Sequence, residues 1–377
     1  MLARKSPLEW VNGYTRREVG LVPKTYTATY HLTELMEKGF IEKEDGQTML
    51  AESGLTEFSW AVTWPEDYET PDEDILNRVS NVQGYAIFVH GWTGNHTIWE
   101  ELPGMVVHAN RRLAAISVDH NGFGDSLFRD VTPSMEACNP PAAMRTLERW
   151  IHLLKLRRQP GDPNRKVLNF VGHSMGGATL FYLNPLLWDA GEVTRCAIAP
   201  ALLLEDEMHR AFYTALGLGI GILHHVGVFK ILERIIKPRL IKSLCSGASD
   251  YVKETHSRQY DETPRGITGA TFMAMGMLKN WEIPRNWEFF RAILGHRDPL
   301  VGLTPMMDLL SKMEFPAANV RVVAGSHYLF SIGTESPHNA FTHTQNRDLV
   351  IDDILALHEN ALQIQLKGRK VGTKSKA

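Results

Sequence analysis

Short runs of apolar residues alternate with amphipathic segments through the middle of the chain. Four of these runs are apolar at consecutive positions and end at glycine or a polar turn: 85–91, 113–119, 166–172 and 195–200. Such runs are typical of parallel strands that are covered on both faces. Helical patterns, for example at 142–158 and 179–191, separate them. This alternation predicts an α/β protein with a mostly parallel, doubly wound sheet.

The alternation is interrupted between Leu202 and about Asn286, where helical segments replace the strands. An early strand is predicted at 58–63, strand character returns at 289–295 and 320–325, and an amphipathic helix follows at 349–366. The simplest architecture is one sheet with an all-helical insertion above its carboxyl edge. Ligands bind at that edge in open α/β sheets.

The pattern divides the chain into five segments. We expect an N-terminal extension of unknown role, a first core part, a helical cap, a second core part and a basic tail. Their predicted spans are 1–55, 56–201, 202–286, 287–366 and 367–377.

The strongest chemical signal is the pentapeptide Gly172-His173-Ser174-Met175-Gly176, which lies between a predicted strand and a predicted helix. A serine on such a sharp turn has a strained backbone, and bulky residues two positions away would collide. The turn presents the hydroxyl above a helix N-terminus, which stabilises developing negative charge. Ser174 is therefore the candidate nucleophile.

A serine hydroxyl needs a base, and the base needs an orienting acid, in the chain order serine, acid, histidine for this kind of turn. Asp298 follows the predicted strand 289–295, and His327 follows 320–325. Both therefore face the sheet edge of Ser174, and they are the candidate acid and base. The alternatives that stay open are two histidines and three acids: His338, His343, Glu205, Asp206 and Glu207.

The expected oxyanion hole consists of two backbone N–H groups. One belongs to Met175, directly after the candidate nucleophile. The other belongs to Trp92 in the loop after the strand 85–91, where Gly91 lets the chain turn. A glycine-rich segment at 119–126 should form a structural loop beside the site.

These motifs, read together, resemble the α/β-hydrolase superfamily: HGWTG, DHNGFGDS, GHSMGG, GHRDP and AGSHY. The resemblance covers about residues 56–366 and looks like the capped branch with esterases, lipases, carbon–carbon bond hydrolases and perhydrolases. It implies Ser174 as nucleophile, His327 as base, Asp298 as its orienting acid, and Trp92 and Met175 as oxyanion donors. Asn121 departs from the arginine that the family loop often carries.

The cap is apolar and rich in methionine, notably at 271–277. Flexible methionine side chains adapt to variable apolar surfaces, although the same residues could form the interior of the cap. We therefore expect a small, hydrophobic ester substrate. The candidate substrate contacts come from the two site loops and the cap: His90, Gly91, His173, Met273 and Met277.

Two cap segments raise the question of lipid. Residues 211–229 contain no charged side chain, which fits a buried or pocket-lining helix better than a membrane anchor. Residues 230–244 combine basic and apolar positions. They could form a solvated helix face or make peripheral lipid contact through the cap.

Charge and cysteine content narrow the possible partners and cofactors. The formal net charge of −3 argues against a nucleic-acid partner. Three widely spaced cysteines form no disulfide framework, and the adjacent His224 and His225 would make a poor metal pair. We expect no metal and no organic cofactor. The early residues lack the apolar run of a secretory signal, which predicts a cytoplasmic protein. The sequence leaves the oligomeric state open.

The sequence thus predicts a serine hydrolase that cleaves a hydrophobic carboxylic ester through an acyl-enzyme intermediate. The same triad could cleave a lactone, a thioester or a carbon–carbon bond, or perform perhydrolysis, and fold analogy does not choose between them. A homologue that binds a ligand without turnover is the alternative from another class.

Overall fold

One eight-stranded sheet organises the computed structural model, which describes residues 25–65, 82–157, 166–204, 207–222, 229–332 and 345–374. The strands are β1 (Thr25–His31), β2 (Ser59–Pro65), β3 (Gly84–Val89), β4 (Leu113–Val118), β5 (Val167–His173), β6 (Val193–Ile198), β7 (Phe290–Gly295) and β8 (Val320–Val323). Their spatial order is β1-β2-β4-β3-β5-β6-β7-β8. The pairs β1–β2 and β2–β4 are antiparallel, and the others are parallel. The predicted mostly parallel sheet is confirmed.

The central strands are covered on both faces. Every residue of β3, β4, β5 and β6 is buried, which explains why their sequences are apolar without alternation. Asn169 in β5 is polar, although it is buried like its apolar neighbours. Its amide donates to the Tyr85 carbonyl at 3.0 Å and accepts from the Thr194 hydroxyl at 2.9 Å, so its polar groups have partners.

Helices lie on both sides of this sheet. The described α-helices are α1 (Leu32–Glu37), α2 (Lys43–Ser53), α3 (Leu102–Ala109), α4 (Met135–Cys138), α5 (Pro140–Leu153), α6 (Met175–Phe181), α7 (Glu207–Ile222), α8 (Phe229–Leu244), α9 (Asp250–Glu262), α10 (Arg265–Gly276), α11 (Leu303–Lys312) and α12 (Asn346–Lys374).

Two elements differ from the prediction. The helix expected at 179–191 instead spans Met175–Phe181, and a short 3-10 turn follows at Pro185–Leu187. Helix α6 begins directly after Ser174, and Pro185 has no N–H with which to continue a helix. The predicted helix 349–366 is correct in its centre and extends to Asn346–Lys374.

Residues 25–53, which lie within the expected N-terminal extension, add an edge to the sheet. Strand β1 pairs along β2, where Tyr30 stacks on Trp60 with ring centroids 6.1 Å apart. The Thr27 and Thr63 hydroxyls meet at 3.0 Å across the same pair. The sequence pattern did not reveal β1, and its contacts show that this part of the extension packs on the core.

The insertion consists of helices α7–α10, and its described residues contain no strand. Helices α7 and α10 pack closely at Gly217, where an added Cβ would lie 2.1 Å from Met273 Cγ. The uncharged stretch at 211–229 lies partly in α7, and its residues 223–228, with His224 and His225, lie outside the described residues. In the described part of the chain, no helix has the length and apolar character needed to span a bilayer.

Candidate active site

Ser174 occupies a strained turn between β5 and α6. Its φ of 54° and ψ of −116° lie in a region that residues with a Cβ rarely adopt. Three backbone hydrogen bonds hold the turn: Ser174 donates to Ile198 at 3.0 Å, and its carbonyl accepts from Ala178 and Ala201 at 2.9 Å. The surrounding backbone therefore enforces the strain.

The glycines of the pentapeptide are required by close backbone contacts. An added Cβ at Gly172 would lie 2.4 Å from the Gly176 carbonyl oxygen, and one at Gly176 would lie 2.1 Å from the Val89 oxygen. Neither oxygen can move without disturbing β3 or the turn. The G-x-S-x-G spacing thus follows from the space available between β3, β5 and α6.

This crowding makes a stability prediction. Gly176→Ala should lower the free energy of unfolding by about 3 kcal/mol or more, because the new methyl group meets fixed backbone. Gly219→Ala is the matched control, since Gly219 lies inside α7 and its added Cβ would meet nothing within 4 Å apart from the backbone of its own helix. That substitution should raise stability by roughly 0.5–1 kcal/mol through helix propensity. Urea denaturation of both variants measures the difference, and equal effects would contradict the steric argument.

His327 and Asp298 form a buried pair at the carboxyl edge of the sheet. His327 Nδ1 lies 2.8 Å from Asp298 Oδ2, and Asp298 Oδ1 accepts from the Leu300 and Val301 N–H groups at 2.9 and 3.1 Å. Burial alone would raise the pKa of Asp298. The charge and hydrogen bond of His327, with the two N–H groups, outweigh it and hold that pKa below its usual range.

The pairing fixes the histidine's orientation. An ionised Asp298 only accepts, so His327 donates from Nδ1 and leaves Nε2 as the proton acceptor. Among the described residues, His327 is hydrogen-bonded to Asp298 and His173, and no hydrogen bond joins it to Ser174. Ser174 and His327 are joined through His173, whose Nε2–H donates to the His327 carbonyl at 3.2 Å and whose ring lies 4.7 Å from the His327 ring.

The loop after β3 lies against the serine. An added Cβ at Gly91 would lie 3.0 Å from Ser174 Cβ and 3.5 Å from its Oγ. Within the described residues, neither the Trp92 nor the Met175 backbone N–H donates a hydrogen bond. Two unused donors are therefore available at the positions where the sequence predicted an oxyanion hole.

Two of the predicted substrate contacts, His90 and His173, are framework residues in this structure. Both rings are 0% exposed. His90 Nδ1 lies 2.7 Å from the Gly91 carbonyl, and its Nε2 accepts from the His120 N–H at 3.1 Å. Burial, together with nearby histidines, lowers the pKa of both His90 and His173 well below the usual value, so both are neutral. These side chains cannot reach a ligand without rearrangement.

The predicted cap contacts have different environments. Met273 is half-buried where it packs against Gly217, whereas Met277 is 52% exposed. Their contact with substrate stays a prediction. Of the alternative triad members, Glu207 is exposed at the start of α7, and the others lie outside the described residues: Glu205, Asp206, His338 and His343.

Sequence reasoning missed three polar residues beside the site. Thr93 is in the loop after β3, Tyr328 follows His327, and His256 belongs to α9 of the insertion. The first two lie inside quoted motifs, but nothing in the pattern around His256 distinguishes it from the other histidines. Among the described residues, no group of three His, Cys, Asp or Glu side chains could hold a metal ion.

Comparison with known proteins identifies the family. A family model described as "Alpha/beta hydrolase family" matches residues 86–342, which is more than half of the chain. No curated protein matches the sequence.

Solved structures share the fold at low sequence identity. An esterase from Exiguobacterium antarcticum matches with a TM-score of 0.53 and 13% identity, over 80% of this chain and 96% of its own. A bromoperoxidase from Bacillus anthracis matches with a TM-score of 0.52 and 15% identity, over 83% and 96%. A thermophilic esterase from Thermogutta terrifontis matches with a TM-score of 0.51 and 15% identity, over 82% and 97%. The chain belongs to the alpha/beta hydrolase family.

Proposed function

We propose that this hydrolase is a serine esterase that cleaves a hydrophobic carboxylic ester through an acyl-enzyme intermediate. The observation that carries the proposal is the strained Ser174 turn beside a buried His327–Asp298 pair with an Nδ1–Oδ2 distance of 2.8 Å. The family membership gives hydrolysis as the reaction class, and esterases from two organisms share the fold.

Each group has one task in the proposed mechanism. His327 Nε2 takes the proton of the Ser174 hydroxyl as its Oγ bonds to the ester carbonyl carbon. The carbonyl oxygen becomes an anion that accepts from the Trp92 and Met175 N–H groups. When this intermediate collapses, the carbon–oxygen bond to the alcohol breaks, and the leaving oxygen takes the proton back from His327.

The second half repeats the steps with water. His327 Nε2 takes a proton from water as its oxygen bonds to the acyl carbon, and the same N–H groups stabilise the anion. Collapse breaks the bond to Ser174 Oγ, which recovers its proton from His327, and releases the acid. Asp298 stays ionised throughout and stabilises the protonated imidazole.

Aromatic side chains of the insertion support a hydrophobic substrate. The ring of Phe272 lies 4.7 Å from the Trp92 ring and 4.9 Å from the Tyr213 ring. Burial raises the pKa of Tyr213, and the negative charge of Asp298 raises it further, which reflects the nearness of α7 to the triad. Apolar rings near the oxyanion loop and the acid favour an acyl or aryl group over a strongly polar one.

A chain-length panel tests the proposed substrate class. Wild-type protein assayed on p-nitrophenyl acetate, butyrate, hexanoate and octanoate should show kcat/KM rising beyond acetate. Each added buried methylene contributes up to about 0.8 kcal/mol. Lactones and thioesters are assayed in parallel, with Ser174→Ala protein as the blank. A maximum at acetate with no turnover of longer chains would contradict the hydrophobic substrate, and turnover of lactones or thioesters alone would replace the ester assignment.

A further inference from the structure

The loop that carries the proposed oxyanion donor contains an unfavourable residue. Gly94 N–H donates to the Gly91 carbonyl at 3.1 Å, so residues 91–94 form a turn. Thr93 is the third residue of this turn and has a φ of 53°. Glycine or asparagine is usual at such a position, and a β-branched residue there is strained. Contacts from elsewhere must therefore hold Thr93 in place.

Those contacts come from His256 on α9 of the insertion. The Thr93 hydroxyl donates to the Trp92 carbonyl at 2.7 Å and lies 3.0 Å from His256 Nδ1. His256 Nε2 is hydrogen-bonded to the Tyr328 hydroxyl, and both side chains are buried. One imidazole thus contacts the oxyanion loop on one side and the residue after His327 on the other.

The donor role of the Thr93 hydroxyl determines where the protons lie in the hydrogen bonds from Thr93 through His256 to Tyr328. Because the Thr93 hydroxyl gives its hydrogen to the Trp92 carbonyl, its oxygen can only accept from His256 Nδ1–H. His256 Nε2 is then an acceptor, and the Tyr328 hydroxyl donates to it. Burial lowers the pKa of His256 to about 3, so the ring stays neutral and this pattern persists at ordinary pH.

Other contacts attach the same region of the insertion to the core. The Tyr328 N–H donates to the Ser246 carbonyl at 2.8 Å. Ser249, the N-cap of α9, bonds to the Glu100 carboxylate and donates its N–H to Ser331 Oγ at 2.9 Å. Helix α9 is therefore fixed to the loops after β3 and β8, which is the rigid base that a positioning residue requires.

We propose that His256 is a positioning residue, which holds the strained Thr93 so that the Trp92 N–H points at the substrate oxygen and ties that loop to His327 through Tyr328. The proposal rests on the proposed serine esterase function. It gives the insertion a role in the chemical step in addition to covering the substrate.

The test removes single hydroxyls and leaves the imidazole in place. Thr93→Val has nearly the shape of threonine but cannot accept from His256, whereas Thr93→Ser keeps the hydroxyl and is the matched control. On p-nitrophenyl butyrate we expect Thr93→Val to lower kcat about 10- to 100-fold with KM changed less than about twofold. Thr93→Ser should stay within about threefold of wild type. Oxyanion contacts act in the transition state, so their loss appears in kcat.

Tyr328→Phe and His256→Phe extend the series from the other end of the chain. Each should lower kcat. The double variant Thr93→Val/His256→Phe should have a kcat only slightly below that of the slower single variant, because both substitutions interrupt the same series of hydrogen bonds. Circular dichroism and thermal unfolding identify any variant that fails to fold, and the Thr93→Val and Thr93→Ser pair decides the question without His256→Phe.

The outcomes separate the two proposals. If wild-type turnover does not depend on Ser174, the serine esterase function fails, and the positioning role fails with it. If Ser174→Ala is inactive while Thr93→Val keeps the wild-type kcat, or falls no further than Thr93→Ser, only the positioning role is overturned. A rise in KM at constant kcat would also overturn it, since that result indicates a role in shaping the pocket.

Discussion

Ser174→Ala should lower kcat on p-nitrophenyl butyrate by on the order of 10⁶-fold, because removal of the proposed nucleophile abolishes the acyl-enzyme route. The side chain is 7% exposed and makes no hydrogen bond to the described residues, so the substitution should leave the free energy of unfolding nearly unchanged. Initial rates, corrected for the uncatalysed reaction, measure the fall. Residual activity from the oxyanion hole and binding alone is expected to remain about 10³- to 10⁴-fold above that background.

The matched control for this prediction is Ser311→Ala in the exposed part of α11, which should keep wild-type rates. A fluorophosphonate probe gives a readout that needs no natural substrate, since it should label wild type and the Ser311 variant but not the Ser174 variant. Wild-type turnover in Ser174→Ala protein would remove the basis of the proposed mechanism.

Asp298→Asn should lower kcat about 10³- to 10⁴-fold while the protein stays folded. The asparagine amide can donate to His327 Nδ1, which stabilises the tautomer with its proton on Nε2. That tautomer cannot accept the proton of Ser174. Asp308→Asn is the matched control, because Asp308 is an exposed aspartate on α11 and should leave kcat within about twofold of wild type.

The pH dependence of this variant follows from the lowered pKa of Asp298. A carboxyl group whose folded pKa is depressed stays ionised above its unfolded value of about 3.9, and its stabilising effect is lost only as the pH falls through the folded pKa. Asp298 should therefore contribute no titration of its own to the wild-type kcat between about pH 6 and pH 9. A variant within tenfold of wild type across that range would show that another acid orients His327.

With His256 as a positioning residue, the insertion would orient groups of the site in addition to covering it. Its aromatic residues lie near Trp92 and Asp298, whereas α9 carries hydrogen bonds to the loops after β3, β4 and β8. Gln259 on α9 accepts from the Gly124 N–H at 2.9 Å, and the Thr268 carbonyl on the following helix, α10, accepts from the Trp92 indole at 3.2 Å. Substitutions at His256 on α9 should therefore change kcat, and those at Tyr213 on the buried face of α7 should change KM.

Much of the site was predictable because its determinants are local. The glycines at 172 and 176 are required by the backbone contacts of a single turn, so the pentapeptide identifies the turn without tertiary information. The carboxyl ends of parallel strands lie at the same edge of the sheet. The contact between Asp298 and His327, which are 29 residues apart, could therefore be predicted from the sequence. The unbroken apolar runs predicted β3 to β6 for the same local reason.

The sequence by itself determined the mostly parallel sheet and the sharp turn at Ser174, because these depend on apolar periodicity and on steric limits within a few residues. The roles of Asp298 and His327 as acid and base stay a prediction. Tertiary structure decided that β1 joins the sheet, that His90 and His173 are buried framework residues, and that His256 reaches the loop after β3. Thr93 and His256 are 163 positions apart, and His256 and Tyr328 are 72 apart. A hydrogen bond over such distances leaves no periodic trace in the sequence, since it depends on how two separate elements pack.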